Sequence, residues 1–113
     1  MNLEINYLKN SKGLFVFSDP GGAKPLLSFI KNYKLKNFRV ISDRSYDFFL
    51  DFDINVISFR NENITDIIKD FNPDYLLTAT SYTSNIELKF IKEANKLDIN
   101  TYSYIDHYTN YKE

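Results

Sequence analysis

The chain reads as an α/β domain built on an open parallel sheet. Three observations predict that class. Short, nearly continuous apolar runs recur along the chain, helical periodicity fills the stretches between them, and the connections are brief. Strands covered on both faces show no polar alternation, so runs of this kind mark a sheet lying between two helix layers. At 113 residues the chain amounts to one domain, 1–113, with one modest core and residues 1–12 as an N-terminal extension.

The elements follow in order. In the extension, the spacing of Leu3, Ile5 and Leu8 fits a short helix or irregular chain. Residues 14–17, Leu-Phe-Val-Phe, are too few for a helix and form the first strand. They empty into Ser18-Asp19-Pro20-Gly21-Gly22-Ala23-Lys24-Pro25, a paired-glycine loop. A helix should follow, with Leu26, Leu27, Phe29, Ile30 and Tyr33 on one side. Pro25 falls in its opening turn, where a missing N–H costs nothing. Residues 38–41 make the second strand, residues 44–52 a short helix, and residues 55–59 the third strand. Ile64, Ile67, Ile68 and Phe71 form the stripe of the next helix. Residues 75–78 make the fourth strand. Ser84-Asn85-Ile86-Glu87 is a capping box that starts a helix carrying Ile86, Phe90, Ile91, Ala94 and Leu97. Residues 101–105 complete the set. Asn32, Asn72 and Asp98 fall where helices should end, and both residue types tolerate the left-handed conformation that closes one.

Strand and helix alternation with short links implies right-handed crossovers and a doubly wound sheet. The expected result is a Rossmann-like three-layer domain: an open five-stranded parallel sheet with helices on both faces. The preferred strand order is 3-2-1-4-5, with 2-1-3-4-5 as the alternative.

Composition narrows the functional classes. The chain is 43% hydrophobic and 26% charged, as expected of a globular domain. Its net charge is −1 and it has no block of like charges, whereas duplex-binding surfaces cluster Lys and Arg. Nucleic acid is therefore not an expected partner. Cys is absent, which removes disulfides and thiolate metal sites and fits a reducing compartment. One histidine without cysteines gives no support to a zinc site. No signal-peptide pattern opens the chain, and no apolar run approaches the roughly 20 residues a membrane helix needs. The expectation is a cytoplasmic protein without a transmembrane segment. A phosphorylated receiver domain is excluded as well, because the third strand ends in Ser58-Phe59-Arg60 with no carboxylate.

Ligands of open α/β sheets bind beyond the carboxyl ends of the strands, near the point where strand order reverses. The chain delivers Ser18, Asp19, Gly21, Gly22 and Lys24 there after the first strand. Ser42 and Asp43 follow the second, Arg60 the third, residues 78–84 the fourth, and Asp106, His107 and Tyr108 the fifth. A helix N-terminus beside Gly21 and Gly22 would offer free N–H groups to a phosphate, carboxylate or sugar oxygen. The hydroxyls of Thr80 and Ser81 suit the same oxygens. His107 exchanges protons near neutral pH. Each has a plainer explanation. The glycines could serve only a tight turn, Lys24 could be solvated, Ser84 caps a helix, and a lone histidine is commonly structural. The glycine loop is neither G-x-G-x-x-G nor a P-loop.

Three stretches together resemble a known group. They are Phe15-Val16-Phe17-Ser18-Asp19-Pro20-Gly21-Gly22-Ala23, Pro73-Asp74-Tyr75-Leu76-Leu77-Thr78-Ala79-Thr80-Ser81, and Tyr104-Ile105-Asp106-His107-Tyr108-Thr109-Asn110-Tyr111. They resemble the N-terminal half of GT-B-type bacterial glycosyltransferases and related nucleotide-sugar epimerases of surface-polysaccharide synthesis. The resemblance spans about residues 13–113 and contains no unique signature. It implies a domain whose glycine loop lines the acceptor side of a cleft, with a second α/β domain or subunit gripping the nucleotide-sugar. Ser18, Gly21, Gly22, Thr80 and Ser81 would then bind ligand, and His107 or Asp19 would be the base that deprotonates an acceptor hydroxyl. No metal and no cofactor are implied. As the lone half of such an enzyme, the chain would not complete a transfer by itself.

Two other readings compete. One is a stand-alone binding module for a nucleotide or phosphorylated metabolite. The other is a structural partner subunit that docks through a sheet edge or through the aromatic segment 102–111.

Overall fold

The computed structural model describes residues 2–18, 20–43, 54–60, 62–79 and 86–104. The described elements run α1 (Asn2–Asn10), β1 (Gly13–Phe17), α2 (Pro20–Asn32), β2 (Phe38–Ser42), β3 (Val56–Ser58), α3 (Ile64–Phe71), β4 (Tyr75–Ala79), α4 (Ile86–Lys96) and β5 (Asn100–Tyr104). The five strands form one sheet in the order β3-β2-β1-β4-β5. Every pairing is parallel. This is the order favoured from sequence, and it places the reversal of strand order between β1 and β4.

The two faces of the sheet build two cores. Phe15, Phe17, Val40, Tyr75 and Leu77 point to one side, where Leu8 of α1 and Leu26, Leu27 and Ile30 of α2 cover them. Leu14, Val16, Ile41 and Leu76 point to the other, under Ile68 of α3 and Ile86, Phe90 and Ala94 of α4. The alternation explains why β1 reads as an unbroken apolar run: each of its faces has a helix layer to meet. Leu14, Phe15, Val16 and Phe17 are fully buried in consequence. At about 1.5–3 kcal/mol per buried large apolar side chain, this one strand is a principal source of stability.

Helix ends follow backbone chemistry. The Asn63 side chain accepts the Asp66 amide at 2.9 Å and caps α3. Asn72 closes α3 in the left-handed conformation, donating its amide to the Ile68 carbonyl at 2.7 Å. Asp98, at φ 62, closes α4, with Ile99 donating to the Ala94 carbonyl and Asp98 to that of Asn95. That paired 6→1 and 5→2 pattern is a Schellman motif. Asn72 and Asp98 thus act as expected.

Two expectations change. First, α2 begins at Pro20, five residues ahead of Pro25, so Gly21 and Gly22 form its first turn instead of a loop. Pro20 itself takes the first helical position, where proline's fixed φ favours a helix start. Second, α2 ends at Asn32 as expected, but the left-handed residue that closes it is Lys34, at φ 54. Leu35 donates to the Ile30 carbonyl and Lys34 to that of Lys31, a second Schellman motif. Of the two forms open to the extension, it takes the helix, α1, anchored by buried Leu8 and by the Tyr75 hydroxyl, which donates to the Leu8 carbonyl at 2.9 Å. The helix expected over residues 44–52 lies outside the described residues.

Candidate functional site

β1 and β4 lie side by side, with Val16 paired to Thr78. Their carboxyl ends therefore form the two sides of the switch point, from which α2 and α4 cover opposite faces of the sheet. Ser18 stands directly after β1, and α2 opens two residues later. The N–H groups of the first turn of α2, those of Gly21 and Gly22 among them, have no partner within the helix and sit at that rim. The positive end of the helix dipole lies there too. All three glycines have negative φ or extended backbone, so local conformation does not itself demand glycine at 21 or 22.

The polar residues of the interior gather at the same rim. Among the described residues, the buried polar and charged side chains are Ser18, Ser42, Thr78 and Glu87. Ser18 follows β1, Ser42 ends β2, Thr78 lies near the end of β4, and Glu87 is in the first turn of α4. Strand alternation assigns them to faces. Leu14 and Val16 belong to the core under α3 and α4, so Ser18 continues that side; Thr78 follows Leu76 onto it. Glu87 is flanked by Ile86 and lies one turn from Phe90, both members of that core. Ser42 follows Val40 onto the opposite side.

The positions expected from sequence divide accordingly. Ser18, Gly21 and Gly22 meet at the carboxyl end of β1. Lys24 and Asp43 are exposed, as is Arg60 beyond β3. The Arg60 amide donates to Glu62 Oε1 at 2.6 Å, and this bond holds the Glu62 carboxyl below the usual range. Asp19, Thr80, Ser81, Asp106 and His107 lie outside the described residues. Glu87 is buried with Ile86, Phe90 and Ala94 of α4; its helical spacing from Phe90, Ile91 and Ala94 places it on the apolar stripe of that helix.

Two hollows lie elsewhere among the described residues. One, of about 220 Å³, runs beside the edge strand β3 and is lined by Arg39, Ile57, Phe59, Glu62 and Asp70. The other, of about 280 Å³, lies over the start of α3 beside Lys89, Lys92 and Glu93. There the Thr65 hydroxyl donates to Glu93 Oε1 at 2.8 Å, a bond that lowers the Glu93 pKa and ties α3 to α4. In the first hollow the guanidinium of Arg39 stacks 4.5 Å from the Phe71 ring and lies 3.6 Å from the Asp70 carboxylate. These contacts describe the packing of α3 on the sheet. Among the described residues, no group of three or more His, Asp or Glu is placed to hold a metal ion. Nor is any described helix long and apolar enough to cross a membrane.

No family model matches the chain, and neither a curated protein nor a solved structure matches it.

Proposed function

We propose that this domain binds a phosphorylated sugar at the β1–β4 switch point, as the acceptor-side half of a GT-B-type glycosyltransferase or related nucleotide-sugar enzyme. One observation carries the reading. Gly21 and Gly22 occupy the first turn of α2 at the carboxyl end of the central strand, with no positive φ to explain them. Glycine in a helix is unfavourable by about 0.5–1 kcal/mol relative to alanine. A ligand that packs directly on the backbone gives that unfavourable choice a purpose, and free N–H groups at a helix start give the ligand's anionic part its partners. In the complete reaction, an acceptor hydroxyl gives its proton to His107 or Asp19. Its oxygen then bonds to the anomeric carbon, and the nucleoside diphosphate departs. A second α/β domain or subunit would grip most of the nucleotide-sugar, so this chain alone would bind it weakly and not turn over.

A second reading has its own support. Helices cover both faces of the sheet, giving the chain two cores of its own. Such a unit could serve as a free-standing binder of a nucleotide or phosphorylated metabolite.

Thermal unfolding with and without UDP-glucose tests the site, since a ligand that prefers the native state raises the melting temperature. The wild-type chain should be stabilised by UDP-glucose. Gly22→Ala should leave the unliganded protein as stable or up to about 1 kcal/mol more stable, while the ligand-induced rise disappears. A rise of equal size in the variant would contradict ligand approach at Gly22. A rise seen only with a second α/β domain added would favour the split enzyme over the free-standing binder.

A further inference from the structure

The first helix is joined to the domain differently from α2 and α4. Among the described side chains of α1, Leu8 is buried, whereas Asn6, Tyr7, Lys9 and Asn10 are exposed. By contrast, α2 buries Leu26, Leu27 and Ile30, and α4 buries Ile86, Phe90 and Ala94. Beside Leu8, hydrogen bonds hold α1. The Tyr7 hydroxyl donates to the Asp74 carbonyl at 3.1 Å and accepts from Asn100 Nδ2 at 3.3 Å. The Tyr75 hydroxyl donates to the Leu8 carbonyl. These tethers run to the amino ends of β4 and β5, at the opposite end of the sheet from the carboxyl rim.

The firmly held part of the domain begins at Lys12. Its amide donates to the Asp74 carboxylate at 2.8 Å and its Nζ to the Phe71 carbonyl at 3.0 Å, while its carbonyl accepts the Asp74 amide at 2.7 Å. Ser11 alone separates this fixed point from the last residue of α1. A nine-residue helix is too short to persist in water without packing. Once lifted, α1 therefore unwinds, and its amides lose their protection together. Segments with little buried apolar surface are the ones that open at least cost.

We infer that α1 is a strap that opens independently: it lifts from Tyr75 and unwinds while the five-stranded sheet stays folded, with Lys12 as the fixed end of the hinge. Tyr75, fully buried in the strapped form, then meets water together with the Tyr102 ring it contacts. The strap thereby controls when this aromatic face is presented.

Amide hydrogen exchange on the full chain tests the strap, using wild type, Tyr7→Phe and Asn63→Ala. In the wild type, the amides of residues 7–10 should share one level of protection, at least about tenfold below that of Phe15, Val16, Leu76 and Leu77. Their exchange should respond little to low urea, since strap opening exposes little surface. Tyr7→Phe removes a tether and should speed α1 exchange about fivefold, the net worth of one hydrogen bond. Asn63→Ala removes the cap of α3, an interaction that survives strap opening. It should speed exchange in β1 and β4 about fivefold and leave α1 at the wild-type rate. Equal acceleration of α1 by Asn63→Ala, or protection of α1 equal to that of β1, would overturn the inference, because the helix would then open only with the whole domain. Protection rising step by step toward Asn10 would overturn it too, marking fraying from the terminus. So would an α1 whose exchange ignores Tyr7→Phe. Where Asn63→Ala does not fold, the wild-type urea response decides: a slope in α1 as steep as in β1 excludes independent opening.

Discussion

Tyr75 shows how a single side chain can join three parts of the molecule. It is fully buried, lies against the rings of Phe15, Tyr7 and Tyr102, and donates its hydroxyl to the Leu8 carbonyl. Gly13 makes room for it. A Cβ added there would collide with the Tyr75 hydroxyl and come within 2.5 Å of its Cζ. Gly13→Ala should thus be destabilising by about 1–3 kcal/mol, the usual cost of overpacking, as read by urea denaturation. Burial pushes the phenol pKa above its ordinary value, reinforced by the neighbouring Tyr7, Tyr102 and Asp74. The raised folded-state pKa fixes the sign of the pH dependence. The stabilisation is fully present below the unfolded phenol pKa of about 10 and falls away as pH rises beyond it. Tyr75→Phe should be less stable than wild type at pH 7 by about 1 kcal/mol, the loss of one hydrogen bond. Its stability should also fall less steeply between pH 10 and pH 11. Parallel pH profiles for the two proteins would show that the Tyr75 pKa is the same in the folded and the unfolded chain.

At the scale of elements, strands were more legible in the sequence than helix ends. All five runs proved to be strands, with limits within two residues, because burial on both faces writes itself directly into composition. Ends depend on a single left-handed residue, and asparagine or glycine is the only sequence sign of one. Asn72 and Asp98 carried a sign of that kind; Lys34 did not. A lysine held at φ 54 costs about 1–2 kcal/mol in steric strain. Lys34→Gly should relieve part of it and raise the midpoint of chemical denaturation by an amount equivalent to about 1 kcal/mol. An unchanged or lower midpoint would mean that the Lys34 side chain contributes as much as its backbone conformation costs. The start of α2 was misplaced for a related reason. Two adjacent glycines read as a turn, and only the three-dimensional arrangement puts them inside a helix that begins at Pro20.

For the whole molecule, the decisive feature is the reversal of strand order between β1 and β4. It follows from the chain passing β1 to β2 to β3 along one side of the sheet, then crossing back through α3 to β4. The helices then divide between the two faces, and the rim between the departing α2 and α4 becomes the natural place for a ligand. Ser18, Gly21 and Gly22 could be assigned to that rim from sequence because β1 announces its own end. The burial of Glu87 could not be read in the same way, because a capping glutamate and a core-facing one look alike until the neighbouring core is known. The central claim is that ligand binds at this rim and not in the hollow beside β3. The most direct measurement is amide chemical-shift mapping of the ¹⁵N-labelled chain during titration with UDP-glucose. The account predicts that the largest shifts fall on Ser18, Gly21, Gly22 and Thr78. Shifts centred on Arg39, Ile57 and Phe59, or none at saturating ligand, would contradict it.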